Sequence, residues 1–409
     1  MSDTVDRVRR SGVEDTTHPA GALPRPPVRL VVILVLLVVA TVSWRRGVYY
    51  DGGADLVVLA KAALTCAAFA LALTAPAHDT GLRHVRAAPA IWLAVYLGLA
   101  AASGAIAAID TLASLVLVAR IALLGVVLIL VARAYSWRQS VAALVTTLLG
   151  VGAVAVITGL PSLAEGRLEG GVPPLSPNAL AQVLTVPLIA IAWMCFNRAA
   201  RWPHVAAVPA LLLLVWLTGS RTGLAALLVA IALLALLAER VSVPAFVTTV
   251  LAVPGALYVA GWTPLLRTFI ERDDARSLMT LNSRTVAWDS AVDYADTTTE
   301  RLIGAGLTLK QIPVSAMYRD QQILDSTWVS ALLQVGMIGA GLLAAFVIAV
   351  IVAASRCPRS QRSLLIALVI YLTIVSILES GMFDASVGFI VFFTAALCAY
   401  TVEQKGDRT

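Results

Sequence analysis

The sequence predicts an all-α polytopic membrane protein of about twelve transmembrane helices with one large, partly helical extracytoplasmic loop. Three observations predict it. The 409 residues are 59% hydrophobic and only 13% charged, with a mean hydropathy of +0.88, whereas a soluble domain carries about 25% charged residues. Apolar runs of about 17–25 residues recur along the chain, each enough to cross a ~30 Å hydrocarbon core. Alternation at period two is absent, which argues against a barrel. Backbone in lipid must satisfy its own hydrogen bonds, so the runs are helices.

Residues 1–27 are polar and rich in Arg, Asp, Thr and Pro, and read as a mostly disordered cytoplasmic tail. No convincing cleavage site precedes the first apolar run, which therefore stays as a helix. Spans are expected at 28–44, 54–74, 88–108, 111–132, 140–160, 179–197, 205–219, 222–238, 241–261, 324–355, 363–379 and 383–402. Residues 28–261 thus hold nine spans, 262–323 form the large loop, 324–402 hold three more spans and 403–409 form a short tail. The tenth span is long, so it begins outside the bilayer or tilts.

Lys and Arg concentrate in cytoplasmic loops. With the N-terminus in the cytoplasm, the short outer loops hold only Arg45, Arg46, Arg167 and Arg221, while the inner segments hold Arg83, Arg86, Arg133, Arg138, Arg198, Arg201, Arg240, Arg356, Arg359 and Arg362 besides the bases of the two tails. Both termini are then cytoplasmic and the large loop is extracytoplasmic. A connection of that length is functional or disordered. Its stretch "NSRTVAWDSAVDYA" has a helical period, with Val286, Trp288, Val292 and Tyr294 on one side and Ser283 as N-cap. The four cysteines, Cys66, Cys195, Cys357 and Cys398, lie in or beside apolar runs and make no CxxC pair, so they read as packing residues rather than as a disulfide framework or zinc site.

Two cations lie within spans, Lys61 and Arg120, both in the outer half. A charge in hydrocarbon faces a cavity or a partner, although Lys61 also reads as a side chain snorkelling to the interface. In "WLTGSRTGLAALL", residues Gly219 to Gly223, with Ser220 and Arg221, form a tight outer turn leading into a helix. Such a helix start offers free N–H groups to an anion, and Arg221 adds a bidentate phosphate donor. In "EGRLEGGVPPLSPNALAQ", Arg167 is the only base, and Gly170 and Gly171 allow unusual backbone angles. Arg284 and Trp288 share a helix face in the large loop. Together Lys61, Arg120, Arg167, Arg221 and Arg284 suit a phosphate or pyrophosphate at the outer leaflet. In "DSTWVSALLQVGMIG", Asp325 reads as an N-cap worth ~1 kcal/mol or as a catalytic carboxylate. Gly336 and Gly339 fall within ~40° of its helical face. Glu379 and Asp384 flank the last outer turn.

Four of these stretches, over roughly residues 160–345, resemble the O-antigen ligase and O-antigen polymerase family of bacterial envelope proteins. "GSRTGLAALLVAIALLALL" resembles the family's outer-turn Ser-Arg and its Leu/Ala-rich helix. "GRLEGGVPPLSPNALA" resembles its Arg…Gly…Pro-Asn loop. "SRTVAWDSAVDYADTTTERLIGAG" resembles its Arg, Trp and Gly-x-Gly pattern. "DSTWVSALLQVGMIG" resembles a motif that starts on His and ends in two glycines. The resemblance implies a fold similar to C-type glycosyltransferases, in a bacterial plasma membrane. It also implies transfer of a glycan from a polyprenyl-pyrophosphate carrier to a lipid, glycan or other hydroxyl acceptor, without metal, other cofactor or nucleic acid. On it, Arg167, Arg221 and Arg284 hold the pyrophosphate. Asp325 stands where the family has His and is the candidate base, with Ser326, Gly336 and Gly339 completing the motif. Other classes remain: a transporter or flippase of lipid-linked sugars, a non-catalytic relative, or an enzyme using a polyprenyl monophosphate with Asp51 as carboxylate.

Overall fold

The computed structural model describes residues 22–45, 55–75, 84–107, 111–238, 288, 290, 291, 294, 297–316 and 319–402. The expected span 241–261, Arg284, Asp51, most of the large loop before residue 297, and residues 403–409 lie outside the described residues.

The described helices are α1 (Val28–Thr41), α2 (Leu56–Leu73), α3 (Ala88–Ile106), α4 (Thr111–Ala134), α5 (Trp137–Gly159), α6 (Pro177–Phe196), α7 (Trp202–Leu217), α8 (Arg221–Leu237), α9 (Thr298–Ile303), α10 (Thr327–Ser355), α11 (Arg359–Leu378) and α12 (Val387–Tyr400). Strand β1 (His84–Val85) pairs antiparallel with β4 (Thr401–Val402), and β2 (Gln311–Ala316) with β3 (Arg319–Ile323), Gln311 opposite Ile323. Among the described residues, seven helices (α2 to α6, α10 and α11) are long and apolar enough to cross a membrane, and α1, α7, α8 and α12 are shorter apolar helices. The chain is an all-α membrane protein.

Polar caps place several helix starts a few residues from the expected ones. A capping box of Ser136 and Gln139 starts α5 at Trp137. Ser176 caps α6, and Ser386 delays α12 to Val387.

Helix α12 is the hub. Every residue from Val387 to Cys398 is buried, as expected of a helix that is apolar all round. It packs against α3, α4, α10 and α11. Phe392 meets Phe346 and Phe383 at ring-centroid distances of 5.5 and 5.3 Å, and Trp92 stacks on Phe346 at 5.7 Å. The helix has only 14 residues, about 21 Å of rise, so the non-helical segment 379–386 is sunk into the bundle. Backbone at that depth is tolerated where it lines a cavity and its polar groups are satisfied. Here Thr327 gives N–H and hydroxyl to the Glu379 carbonyl at 3.2 and 2.9 Å, and its oxygen accepts from Met382 N at 3.3 Å. Ser386 Oγ donates to the Gly381 carbonyl.

Helix α10 is not the continuous helix that the Asp325, Gly336 and Gly339 spacing assumed. Its axis breaks at Gly336 (φ 72°, ψ −175°), so the three residues do not share one helical face. The segment after the break, 337–355, has about the length that a ~30 Å core needs by itself. The capping box of Thr297 and Glu300 starts α9, which delivers Gly304-Ala305-Gly306 to the break. Ala305 N donates to Leu333 O at 2.8 Å, Gly306 N to Gln334 O at 2.9 Å and Ser103 Oγ to Gln334 O at 2.7 Å. These donors replace the N–H groups that the kink takes out of the helix ladder. Ala291 and Tyr294 pack with Ile312, Leu324 and Leu333 in a small second core above this clasp.

Candidate functional site

The polar residues of interest gather at one end of the bundle, called here the upper end. It carries the end of α1, the start of α2, the 160–176 connection, the turn before α8, the start of α10 and the 379–386 segment. Three adjoining cavities open around that last segment.

The first is the cationic one, about 220 Å³. Its walls include Arg45, Asp55, Lys61, Arg120, Lys310 and Asp384, four cations against two carboxylates. Arg120, Asp55 and Asp384 are placed by backbone needs. The last carbonyls of α1 lack helical partners: Val38 O accepts from Val42 N, Val39 O from Trp44 Nε1 at 2.8 Å, and Ala40 O from Arg120 Nη2 at 2.8 Å. The guanidinium is thus held at the negative end of a helix. Asp55 caps α2 through Val57 N at 2.8 Å and turns its second oxygen to Arg45 at 3.3 Å. Lys61 Nζ lies 5.8 Å from the Trp44 ring centroid, in the same wall.

Lys310 Nζ pairs with Asp384 Oδ2 at 2.5 Å, and Asp384 Oδ1 accepts from Ala385 N at 2.8 Å. The surrounding protein penalises the Asp384 charge, yet the Lys310 ammonium, the Ala385 N–H and Arg120 together hold the carboxyl below its ordinary value of 3.8. A depressed folded pKa gives stability that is complete above pH ~4 and is lost as pH falls through the folded value. The expected result is that the melting-temperature deficit of Lys310→Met relative to wild type is largest near pH 7 and shrinks on acidification, as the variant's unpaired Asp384 takes up a proton that the paired carboxyl of the wild type still refuses. A deficit that grows on acidification would contradict this pairing.

The second cavity, about 500 Å³, is lined by Glu169, Asn178, Gln182, Glu379 and Ser380 among others, and shares Thr41 and Ser43 with the first. Asn178 Nδ2 donates to Glu379 Oε1. The third, about 90 Å³, lies between Tyr96, Gln334 and the Lys310–Asp384 pair.

Arg167 and the turn that precedes Arg221 meet elsewhere at the upper end. Gly219 takes a positive φ of 67°, and Arg167 lies across it, with Nε on Thr218 O at 3.1 Å and Nη2 on Gly219 O at 3.4 Å. Leu168 N donates to Leu217 O at 2.9 Å. Ser220 is buried and caps α8 through Gly223 N at 3.3 Å, while Arg221 opens the helix and is exposed. Gly170 and Gly171 do not take the unusual angles expected of them; they let the loop backbone lie against Thr158 and Leu175. Neither arginine lines the three cavities.

Asp325 is half-buried and lines none of the three cavities. It is not the cap of α10; Ser326 is, through Val329 N at 3.4 Å. Its neighbours are tied to the recess on both sides: Leu324 N donates to Lys310 O at 3.1 Å, and Thr327 binds Glu379 O. Gly339 is buried, packed under Val335 where the chain folds over the kink. Lys310 escaped the sequence reading because nothing local marks it; only its tertiary partner Asp384 does.

Fold and site together define a multi-helix membrane protein with a cationic recess at one end. Compared with known proteins, the chain matches no family model and no curated protein.

Proposed function

We propose that the protein transfers a glycan from a polyprenyl-pyrophosphate carrier to an acceptor hydroxyl at the extracytoplasmic face of a bacterial plasma membrane, as a ligase or polymerase. The observation that carries this reading is the cationic recess formed around Lys61, Arg120 and Lys310 at the end of an apolar bundle, where a lipid tail in the membrane brings its phosphates to the charges. The acceptor oxygen attacks the anomeric carbon, its proton passes to the Asp325 carboxylate, and the carbon–oxygen bond to the pyrophosphate breaks. The polyprenyl pyrophosphate leaves with the bonding pair, which the cations stabilise. Arg167, which lies across Gly219, and Arg221, two residues further along that turn, provide further cations near the same end, and the upper end is then the extracytoplasmic one.

The test is purified protein in nanodiscs with a lipid-linked oligosaccharide and candidate acceptors, read as release of polyprenyl pyrophosphate. Arg221→Ala, at an exposed site, is expected to lower turnover about 10²–10³-fold, read beside expression and chromatographic profile. Wild-type release in that variant, or no release by wild type with any acceptor, would sink the reading.

A transporter or flippase is the second reading, favoured by the break in α10, since transporters bind substrate at interrupted helices. Against it, the Leu333 and Gln334 carbonyls at the break are already taken by Ala305, Gly306 and Ser103. Movement of a fluorescent lipid-linked sugar across liposomes holding the protein, without pyrophosphate release, would favour the transporter.

A further inference from the structure

A fourth cavity, of about 660 Å³, opens at the end of the bundle opposite the recess, where α10 and α12 finish and α11 starts. Two arginines stand in its wall, Arg86 and Arg356. They are far apart in sequence, and the backbone brings them to one place. The pairing of Val85 with Thr401, and Arg86 N on Tyr400 O at 3.2 Å, fasten the first beside the end of α12. The second closes α10, with its N–H on Ala353 O at 3.1 Å. Both residues are exposed, and among the described residues neither guanidinium has a hydrogen-bond or ion-pair partner. Other donors of the wall are spent on backbone carbonyls: the Tyr400 hydroxyl on Ala349 O at 3.3 Å, Gln361 Nε2 on Cys398 O at 3.0 Å, and Thr401 Oγ1 on Leu397 O at 2.8 Å. A ligand is therefore met by the two guanidiniums, whose planar forks fit the oxygens of a phosphate. The rest of one wall is apolar. Ala345, Ile348 and Val352 follow one another on one face of α10 and are exposed, Ile348 by 62%. From Ala345 to Arg356 the helix rises about 16 Å, close to half of a ~30 Å hydrocarbon core. An acyl chain in one leaflet has that depth, with its phosphate level with the arginines. A free anion would use the charges and leave the apolar track empty. A headgroup that carries an ammonium would bring a third cation to the two guanidiniums, and such like-charge contacts are costly.

We propose that this cavity holds an anionic phospholipid, its phosphate at Arg86 and Arg356 and one acyl chain along the Ala345, Ile348 and Val352 face of α10. Basic pockets between transmembrane helices take such headgroups. With the recess at the extracytoplasmic face, this end lies in the cytoplasmic leaflet, which is the anionic one. The lipid ties the segment before α3 to the turn between α10 and α11. The site is independent of the proposed glycan transfer and stands or falls without it.

The experiment uses the full chain, delipidated in detergent and titrated with phosphatidylglycerol or phosphatidylcholine, with bound lipid counted by native mass spectrometry. Glycerol phosphate is the soluble competitor. The expected result is one tightly held phosphatidylglycerol per chain, preferred over phosphatidylcholine and not displaced by equimolar glycerol phosphate. Arg86→Ala and Arg356→Ala are each expected to weaken it about five- to thirty-fold, the effect of one guanidinium at a phosphate. Arg133, exposed in the last turn of α4 at the same end, is the control; Arg133→Ala is expected to leave the affinity within about two-fold, since it adds only to the general field of the surface. Ala345→Trp fills the apolar track and keeps both charges, and it is expected to weaken phosphatidylglycerol as well. Should an arginine variant fail to fold, the preference of the wild type and the effect of Ala345→Trp decide between the outcomes. Equal binding of the two lipids, a loss in Arg133→Ala as large as in the other two, or an unchanged affinity in Ala345→Trp would overturn the proposal. So would displacement by glycerol phosphate, which would mark a site for a free anion, or a dimer that forms with no lipid bound, which would give this face to a second copy of the chain.

Discussion

Asp325→Asn is expected to lower turnover about 10²–10⁴-fold, the share that a positioned base supplies. The cap of α10 is a separate matter, held by its neighbour. Ser326 caps α10, so Ser326→Ala carries the stability cost of about 1 kcal/mol, and Asp325→Asn leaves the cap in place. The case for Asp325 as base rests on where its backbone is fastened: Leu324 to the carbonyl of Lys310, Thr327 to that of Glu379, the two sides of the recess. Asp384 is the rival carboxylate, but Lys310 and Ala385 N–H occupy its oxygens, and its lowered pKa makes it a poor proton acceptor. Full turnover in Asp325→Asn would remove the residue from the mechanism, and a matching loss in Asp384→Asn would transfer the role.

Gly336→Ala has the largest expected effect on the fold. Gly336 (φ 72°, ψ −175°) and Gly304 (φ 88°, ψ −176°) both occupy a backbone region open essentially only to glycine. They face each other: a Cβ on Gly336 would stand 2.2 Å from Leu302 O, and one on Gly304 2.5 Å from Gly336 N. Each substitution costs about 1–3 kcal/mol in backbone strain, and the clash adds to it, because the atoms struck are main chain and have nowhere to go. The result expected is loss of most folded protein on extraction, followed by size-exclusion chromatography after a heat step. The double variant Gly304→Ala/Gly336→Ala should cost less than the sum of the singles, since both open one clasp. Wild-type melting in Gly336→Ala would mean that α10 runs through without a break.

The helices were legible because lipid leaves an apolar run little choice of structure. The sites of disagreement have local causes. Ser386 and Ser136 are polar residues within apolar surroundings, and their caps moved helix starts that hydropathy alone put elsewhere. The break at Gly336 was hidden because Val335, Met337 and Ile338 extend the apolar pattern on both sides of it; its counterpart Gly304-Ala305-Gly306 lies thirty residues earlier, and only the fold joins them. In the site, charge inside a span singled out Lys61 and Arg120, which do share a cavity wall. Arg167 and Arg221 were each visible as the sole base of an outer loop, but the Gly219 turn that brings Arg167 to Thr218 and Gly219 is a tertiary contact. Lys310 sat unremarked in a long polar stretch.

The shortness of α12 has an electrical consequence. A bilayer's hydrocarbon is ~30 Å thick, while the 14 residues of α12 rise only about 21 Å. Above them the wall is polar: Lys310, Asp384, Glu379 and Ser386. With the recess at the extracytoplasmic face, as proposed, a membrane voltage, which falls chiefly across the insulating layer, is compressed here into the shorter distance below the recess floor. A charge at the floor stands near one face of that layer, and a charge crossing the whole of it does work of about 2.3 kcal/mol per 100 mV. The energised membrane thus bears on any ion that moves vertically beneath the recess, and hardly at all on one that slides along it in the plane.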